Sequence, residues 1–110
     1  MEIIRKSLTE EEKSGICVVN GFAHPELGQD IAAEMGIELD EIGSKIHPNG
    51  EVYARYCNSV RGKKVFIIQP QISNGKLTVN DAIMQQCLLI NAAKTSSAAE
   101  INAVSPYLAY

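Results

Sequence analysis

The run Val65-Phe66-Ile67-Ile68 constrains this chain most, because it holds four consecutive apolar residues, three of them β-branched, between the turn-forming stretch Asn58 to Gly62 and Pro70. A strand apolar on both sides must be covered on both faces, which places it inside a sheet. Proline cannot donate to a ladder, so the strand stops there. Upstream, Ser44-Lys45-Ile46-His47 and Glu51 to Cys57 flank Asn49-Gly50. That pair predicts a hairpin with a two-residue connection in which both central residues take positive φ. In the second arm Glu51, Tyr53 and Arg55 share one face and Val52, Ala54 and Tyr56 the other, as in a half-buried strand. A hairpin therefore leads into a central strand.

Elements on either side complete an α/β pattern. Ile16-Cys17-Val18-Val19, closed by Asn20-Gly21, predicts a first buried strand. His24-Pro25-Glu26 opens a helix, since proline suits the first helical position and an early glutamate suits the dipole. Leu27, Ile31 and Met35 recur on one face of it, with Ala32 beside them, and Gly36 ends it. Gln71 to Val79 reads as an exposed loop around Asn74-Gly75. Asn80 or Asp81 then predicts the N-cap of a long helix reaching about Thr95. Its apolar residues surround most of the cylinder, leaving Gln85, Gln86, Asn91 and Lys94 as the polar side, so such a helix is covered on several sides. After the turn Ser96 to Glu100, Ile101-Asn102-Ala103-Val104 forms another short strand ending near Pro106. The order predicts a single three-layer α/β domain over residues 16–110, with a mostly parallel sheet plus a β-hairpin. Residues 1–15 read as a charged, solvated lead-in.

Charge and cysteine usage narrow the function classes. With 10 Lys and Arg against 13 Asp and Glu, the net charge of −3 gives no general attraction to nucleic acid or an anionic membrane. Phosphate, if bound, is bound locally. The three cysteines, Cys17, Cys57 and Cys87, lack zinc-site spacing and read as buried thiols of a reducing cytosol. No signal-peptide pattern and no membrane-length apolar run is visible, so a cytoplasmic protein is expected.

The plain chemistry of the residues stops short of an activity. His24 and His47 have no histidine or cysteine at ligand spacing, so no metal site is expected, and capping or pocket lining is the plainer reading. Arg61 beside Ser59 could hold a phosphate through a guanidinium fork and a hydroxyl, or be an ordinary solvated turn residue. Ser96 and Ser97 could be simple helix-terminal residues. No nucleophile, base and orienting group fall together.

Several short motifs in register add what spacing alone does not. Asn49-Gly50-Glu51, Ser59-Val60-Arg61-Gly62 and Val65-Phe66-Ile67-Ile68-Gln69 resemble the amino-terminal half of ribose-phosphate pyrophosphokinases. So do Ala23-His24-Pro25-Glu26-Leu27, Met35-Gly36-Ile37-Glu38-Leu39, the helix from Asn80-Asp81 to Lys94, and Ile101 to Val104 followed by Pro106-Tyr107. The resemblance implies a half of phosphoribosyltransferase type from an oligomeric enzyme that transfers pyrophosphate from ATP, with magnesium, to ribose 5-phosphate. It implies that His47, Asn49 and Glu51 contact ATP adenine across a subunit interface, with His47 where the family carries an aromatic residue. It also implies that Ser59, Arg61 and Ser97 form a regulatory site for phosphate or ADP. The loop before Asn80 is longer than in the family, and Gln85 stands where a glutamate is general. The family's catalytic and ribose-phosphate-binding loops lie beyond the match, so this chain alone is expected to be inactive and to bind neither ATP nor magnesium tightly. The alternative is a non-catalytic regulatory or assembly subunit of such a synthetase.

Overall fold

The computed structural model describes residues 7–110. A three-stranded parallel sheet is built from β1 (Ile16–Asn20), β4 (Lys64–Ile68) and β5 (Glu100–Val104) in the order β1-β4-β5. Central β4 carries the β-branched run, in which Val65 and Ile67 are fully buried and Ile68 nearly so. β2 (Ile42–Ile46) and β3 (Val52–Tyr56) form a separate antiparallel hairpin. Helix α2 (Pro25–Met35) lies against β1, and α3 (Val79–Thr95) packs between the parallel sheet and the hairpin.

The core explains the layering. Cys17 and Val19 of β1, Val65 and Ile67 of β4, and Leu89 and Ala93 of α3 form one buried cluster, with Ala54, Tyr56 and Ile101 packed around it. Residues two apart in a strand share a face, so these side chains define the sheet face under α3. Asn20 shares the other face with Val18 and meets Gly28 of α2, where a Cβ would collide with the asparagine side chain. The Tyr56 hydroxyl donates to the Leu89 carbonyl at 2.9 Å, fastening the hairpin to α3, and burial pushes its pKa up.

Four local expectations are corrected. The lead-in is partly helical: α1 (Glu10–Ser14) is closed by a capping box between Thr9 and Glu12, while residues 1–6 lie outside the described residues. The hairpin connection spans His47 to Gly50, closed by the Gly50 N–H on the His47 carbonyl at 2.8 Å, and only Gly50 takes a positive φ, 91°. Pro48 takes a central position of that turn, so the glycine is displaced into the bulge that follows it. The N-cap of α3 is Thr78, whose hydroxyl accepts the Asp81 N–H at 3.1 Å while the Asp81 carboxylate accepts the Thr78 N–H at 3.1 Å. That reciprocal pair satisfies two groups where Asn80 would satisfy one. Finally, Gln85 and Gln86 are buried while Cys57 and Cys87 are exposed. Only Cys17 is a buried thiol, with its pKa pushed up to about 12 by burial and then by its hydrogen bond to Asp40.

Candidate functional site

The hairpin tip holds the first set of residues named from sequence. His47 donates its N–H to the Glu51 carbonyl at 2.7 Å, and the Asn49 side-chain carbonyl accepts the Glu51 N–H at 3.1 Å. The His47 ring stands edge-on to Tyr53, with centroids 6.0 Å apart and planes at 64°. Asn49 and Glu51 are exposed and His47 half-buried, so three side chains able to stack and hydrogen-bond are presented within one tight loop. Glu51 also borders a cleft of about 400 Å³ between the tip and the first turns of α3, lined by Val52, Asp81, Met84 and Leu88.

The second set meets at the other end of α3. The Gly62 N–H donates to the Ser97 carbonyl at 3.0 Å, joining the turn after the hairpin to the turn after the helix. Ser97 adopts φ 64°, and its N–H returns to the Lys94 carbonyl at 3.2 Å. The Ser59 hydroxyl accepts the Arg61 N–H at 3.4 Å. Ser59, Arg61 and Ser97 are all exposed, and among the described residues no carboxylate pairs with Arg61. A guanidinium, two hydroxyls and a convergent backbone suit a phosphate group. The two sets lie at opposite ends of α3, whose 17 residues span roughly 25 Å.

Sequence reasoning missed what holds these ends in place. Gln85 Oε1 accepts the Phe22 N–H at 2.8 Å and the Gln69 Nε2 at 2.7 Å, while Gln85 Nε2 donates to the Ser44 hydroxyl at 2.7 Å. Ser44 in turn donates to the Tyr53 carbonyl at 2.7 Å. Gln69 also donates to the Ala82 carbonyl at 3.1 Å and accepts the Ala23 N–H at 3.2 Å. One buried amide thus ties the hairpin, the end of β4 and the β1–α2 connection together. Glutamines inside an apolar helix were the available signal. The β1–α2 connection is further closed by the Asn20 amide, which donates to the His24 and Pro25 carbonyls at 2.8 and 2.9 Å, leaving Asn20 Oδ1 buried without a partner. His24 caps α2 itself, its Nδ1 accepting the Leu27 N–H at 3.1 Å. Among the described residues no three His, Cys, Asp or Glu side chains gather as a metal site.

Comparison with known proteins bears on this arrangement. Residues 16–110 match the family model described as the N-terminal domain of ribose phosphate pyrophosphokinase. The ribose-phosphate pyrophosphokinase of Bifidobacterium longum is 41% identical over 95 residues, which are 86% of this chain and 27% of that protein. That of Wolinella succinogenes is 41% identical over 96 residues, 87% of this chain and 30% of that protein. The crystal structure of phosphoribosylpyrophosphate synthetase from Mycobacterium smegmatis superposes with a TM-score of 0.74 at 31% identity, covering 84% of this chain and 30% of that one. The chain thus spans under a third of the length of these relatives.

Proposed function

The chain belongs to the ribose-phosphate pyrophosphokinase family, of which it carries the amino-terminal domain, and we propose that the protein bearing it transfers the pyrophosphoryl group of ATP to the 1-hydroxyl of ribose 5-phosphate. In this reading residues 16–110 form one domain that supplies binding and regulation, and the reacting groups belong to the other part of the enzyme. The protein is cytoplasmic and works as a homo-oligomer. Among the described residues no helix is long and apolar enough to cross a membrane.

The hairpin tip serves the adenine of an ATP held by a neighbouring subunit. His47 offers its ring face, Asn49 its amide and Glu51 its carboxylate, which accepts from the exocyclic amine. The tip is held rigid by its own backbone bonds, so little ordering is lost on contact. Magnesium takes most of its ligands from phosphates and water. Among the described residues no three His, Cys, Asp or Glu side chains gather as a cage for it.

The observation that carries the regulatory part of this reading is the Gly62 to Ser97 hydrogen bond. It supports a site in which Ser59, Arg61 and Ser97 close on inorganic phosphate or on the β-phosphate of ADP. In the enzyme bearing this domain, Arg61→Ala weakens phosphate or ADP binding by about 1.5 to 3 kcal/mol, the worth of a charged hydrogen bond. Isothermal titration checks it, and unchanged affinity removes Arg61 from the site. The larger claim is tested by incubating the 110-residue chain, and separately the native protein bearing it, with ATP, magnesium and ribose 5-phosphate. Product from the native protein alone is the expected result. Product from the isolated chain refutes the division of labour, and none from either refutes the activity.

A further inference from the structure

We propose a third ligand site, separate from the hairpin tip and the turn at Arg61: the recess between β2 and the loop before α3 binds a small organic anion with an apolar body. The recess encloses about 250 Å³ and is lined by Phe22, Ser44, Lys45, Ile46, Lys76 and Leu77, with Asn74 at its edge. Its wall area is mostly apolar, and both of its charged residues are lysines. In a chain of net charge −3, the other recesses described all carry at least one carboxylate on their walls. Among the described residues neither Lys45 nor Lys76 is paired with a carboxylate. Lys45 and Lys76 are exposed lysines on the wall of one small recess, and an anion held there is attracted by both.

The walls are fixed before any ligand arrives. Asn74 donates its amide to the Phe22 carbonyl at 2.7 Å, and its side-chain oxygen accepts the Lys76 and Leu77 N–H groups at 3.0 and 2.8 Å. The Phe22 backbone N–H is held by Gln85, and the residue, 40% exposed, lines the recess. β2 is an edge strand with β3 as its sole partner. The His47 to Glu51 and Cys57 to Glu41 bonds set the alternation of the ladder, so the backbone N–H groups of Ser44 and Ile46 point away from β3, towards the recess side. Two lysines, edge-strand backbone donors and apolar side chains therefore border one recess. The volume equals that of about eight water molecules, which fits a single ring or short acyl chain bearing one anionic group.

Three probes separate the parts of the claim. Phenyl phosphate carries both the ring and the anion, benzyl alcohol the ring alone, and inorganic phosphate the anion alone. In amide-resolved NMR titrations of the 110-residue chain, phenyl phosphate is expected to shift Phe22, Ser44, Ile46 and Lys76 and to bind at least tenfold tighter than benzyl alcohol or inorganic phosphate at those residues. Lys45→Gln and Lys76→Gln each weaken it about tenfold, whereas Lys64→Gln, the same charge change at the start of β4, leaves it unchanged. Both lysines are surface residues whose replacement leaves the core intact. Benzyl alcohol binding as tightly as phenyl phosphate overturns the proposal, as do shifts confined to Ser59, Arg61 and Ser97, full affinity in both lysine variants, or no shift at millimolar probe. The outcome is independent of the activity proposed above, which is read by product formation.

Discussion

Replacing Gln85 by leucine, which has nearly the same volume, isolates the worth of the buried amide that joins three elements. The change deletes the acceptor of the Phe22 N–H and of Gln69 Nε2, and the donor to Ser44. Gln69 keeps the Ala82 carbonyl and Ser44 keeps the Tyr53 carbonyl, so the Phe22 N–H is the one group left wholly unpaired. The Phe22 N–H is part-buried, so orphaning it costs about 1 kcal/mol, the lower end for a buried donor, and each lost but partly compensated hydrogen bond about 0.5 to 1.5. Since the three bonds share a network and do not add fully, the expected loss is about 2 to 4 kcal/mol, a large part of the 5 to 15 typical of a small domain. Gln85→Glu should also destabilise, because the Ser44 hydroxyl can donate to the carboxylate only by giving up the Tyr53 carbonyl and a carboxylate at this fully buried position carries a desolvation cost. Urea unfolding of the three proteins, with an unchanged m-value, measures the difference, and hydrogen exchange should show the Phe22 amide losing protection first. A Gln85→Leu variant within about 0.5 kcal/mol of the parent, the range of an uneventful surface change, refutes the reasoning.

Three further outcomes follow from geometry already described. Thr78→Ala should lower stability by about 1 kcal/mol through loss of the α3 cap while Asn80→Ala changes it little; equal effects in thermal unfolding would return the cap to Asn80. Gly28→Ala should destabilise by about 1 to 3 kcal/mol because the new methyl enters the Asn20 side chain, and a gain in melting temperature would show that α2 can slide. For Cys17 the folded pKa is raised from 9.0 to about 12, so the folded state holds the proton longer than the unfolded chain does. Stability is therefore complete below pH 9 and falls as pH rises towards 12, by up to about 1.4 kcal/mol per pH unit. Cys17→Ala should flatten that slope in pH-dependent unfolding, and an identical slope would exclude the thiol as its source.

The hairpin, the central strand and both long helices were legible because each rests on local rules: alternation in Glu51 to Cys57, the β-branched run before Pro70, and proline and glycine at the ends of α2. The corrections to burial share one cause. Sequence reading treats a polar residue as exposed and an apolar one as buried, yet Gln85 is fully buried by partners 63 and 41 residues away in sequence, Phe22 and Ser44, and Cys87 is left on the outer side of a helix whose inner side is already full. The residues at the hairpin tip and in the turns at Arg61 and Ser97 were named through family resemblance, since a lone arginine or histidine in a turn carries no chemistry of its own. Phe22, Lys45 and Lys76 gave no signal, because each belongs to a different segment.

By itself the sequence determined the kinds of element, their order, the strand that had to be central and the family in which that order recurs. These depend on neighbours a few residues apart, where steric limits and hydrophobic periodicity act directly. Only the tertiary structure decided that α3 lies between sheet and hairpin, that Gln85 is the joint of three layers, that Ser97 meets the turn at Gly62, and that two lysines share one recess. Those facts come from contacts between distant segments. Their free energy depends on burial and on whether each buried polar group finds its partner, and that is set by the packed arrangement of the whole chain.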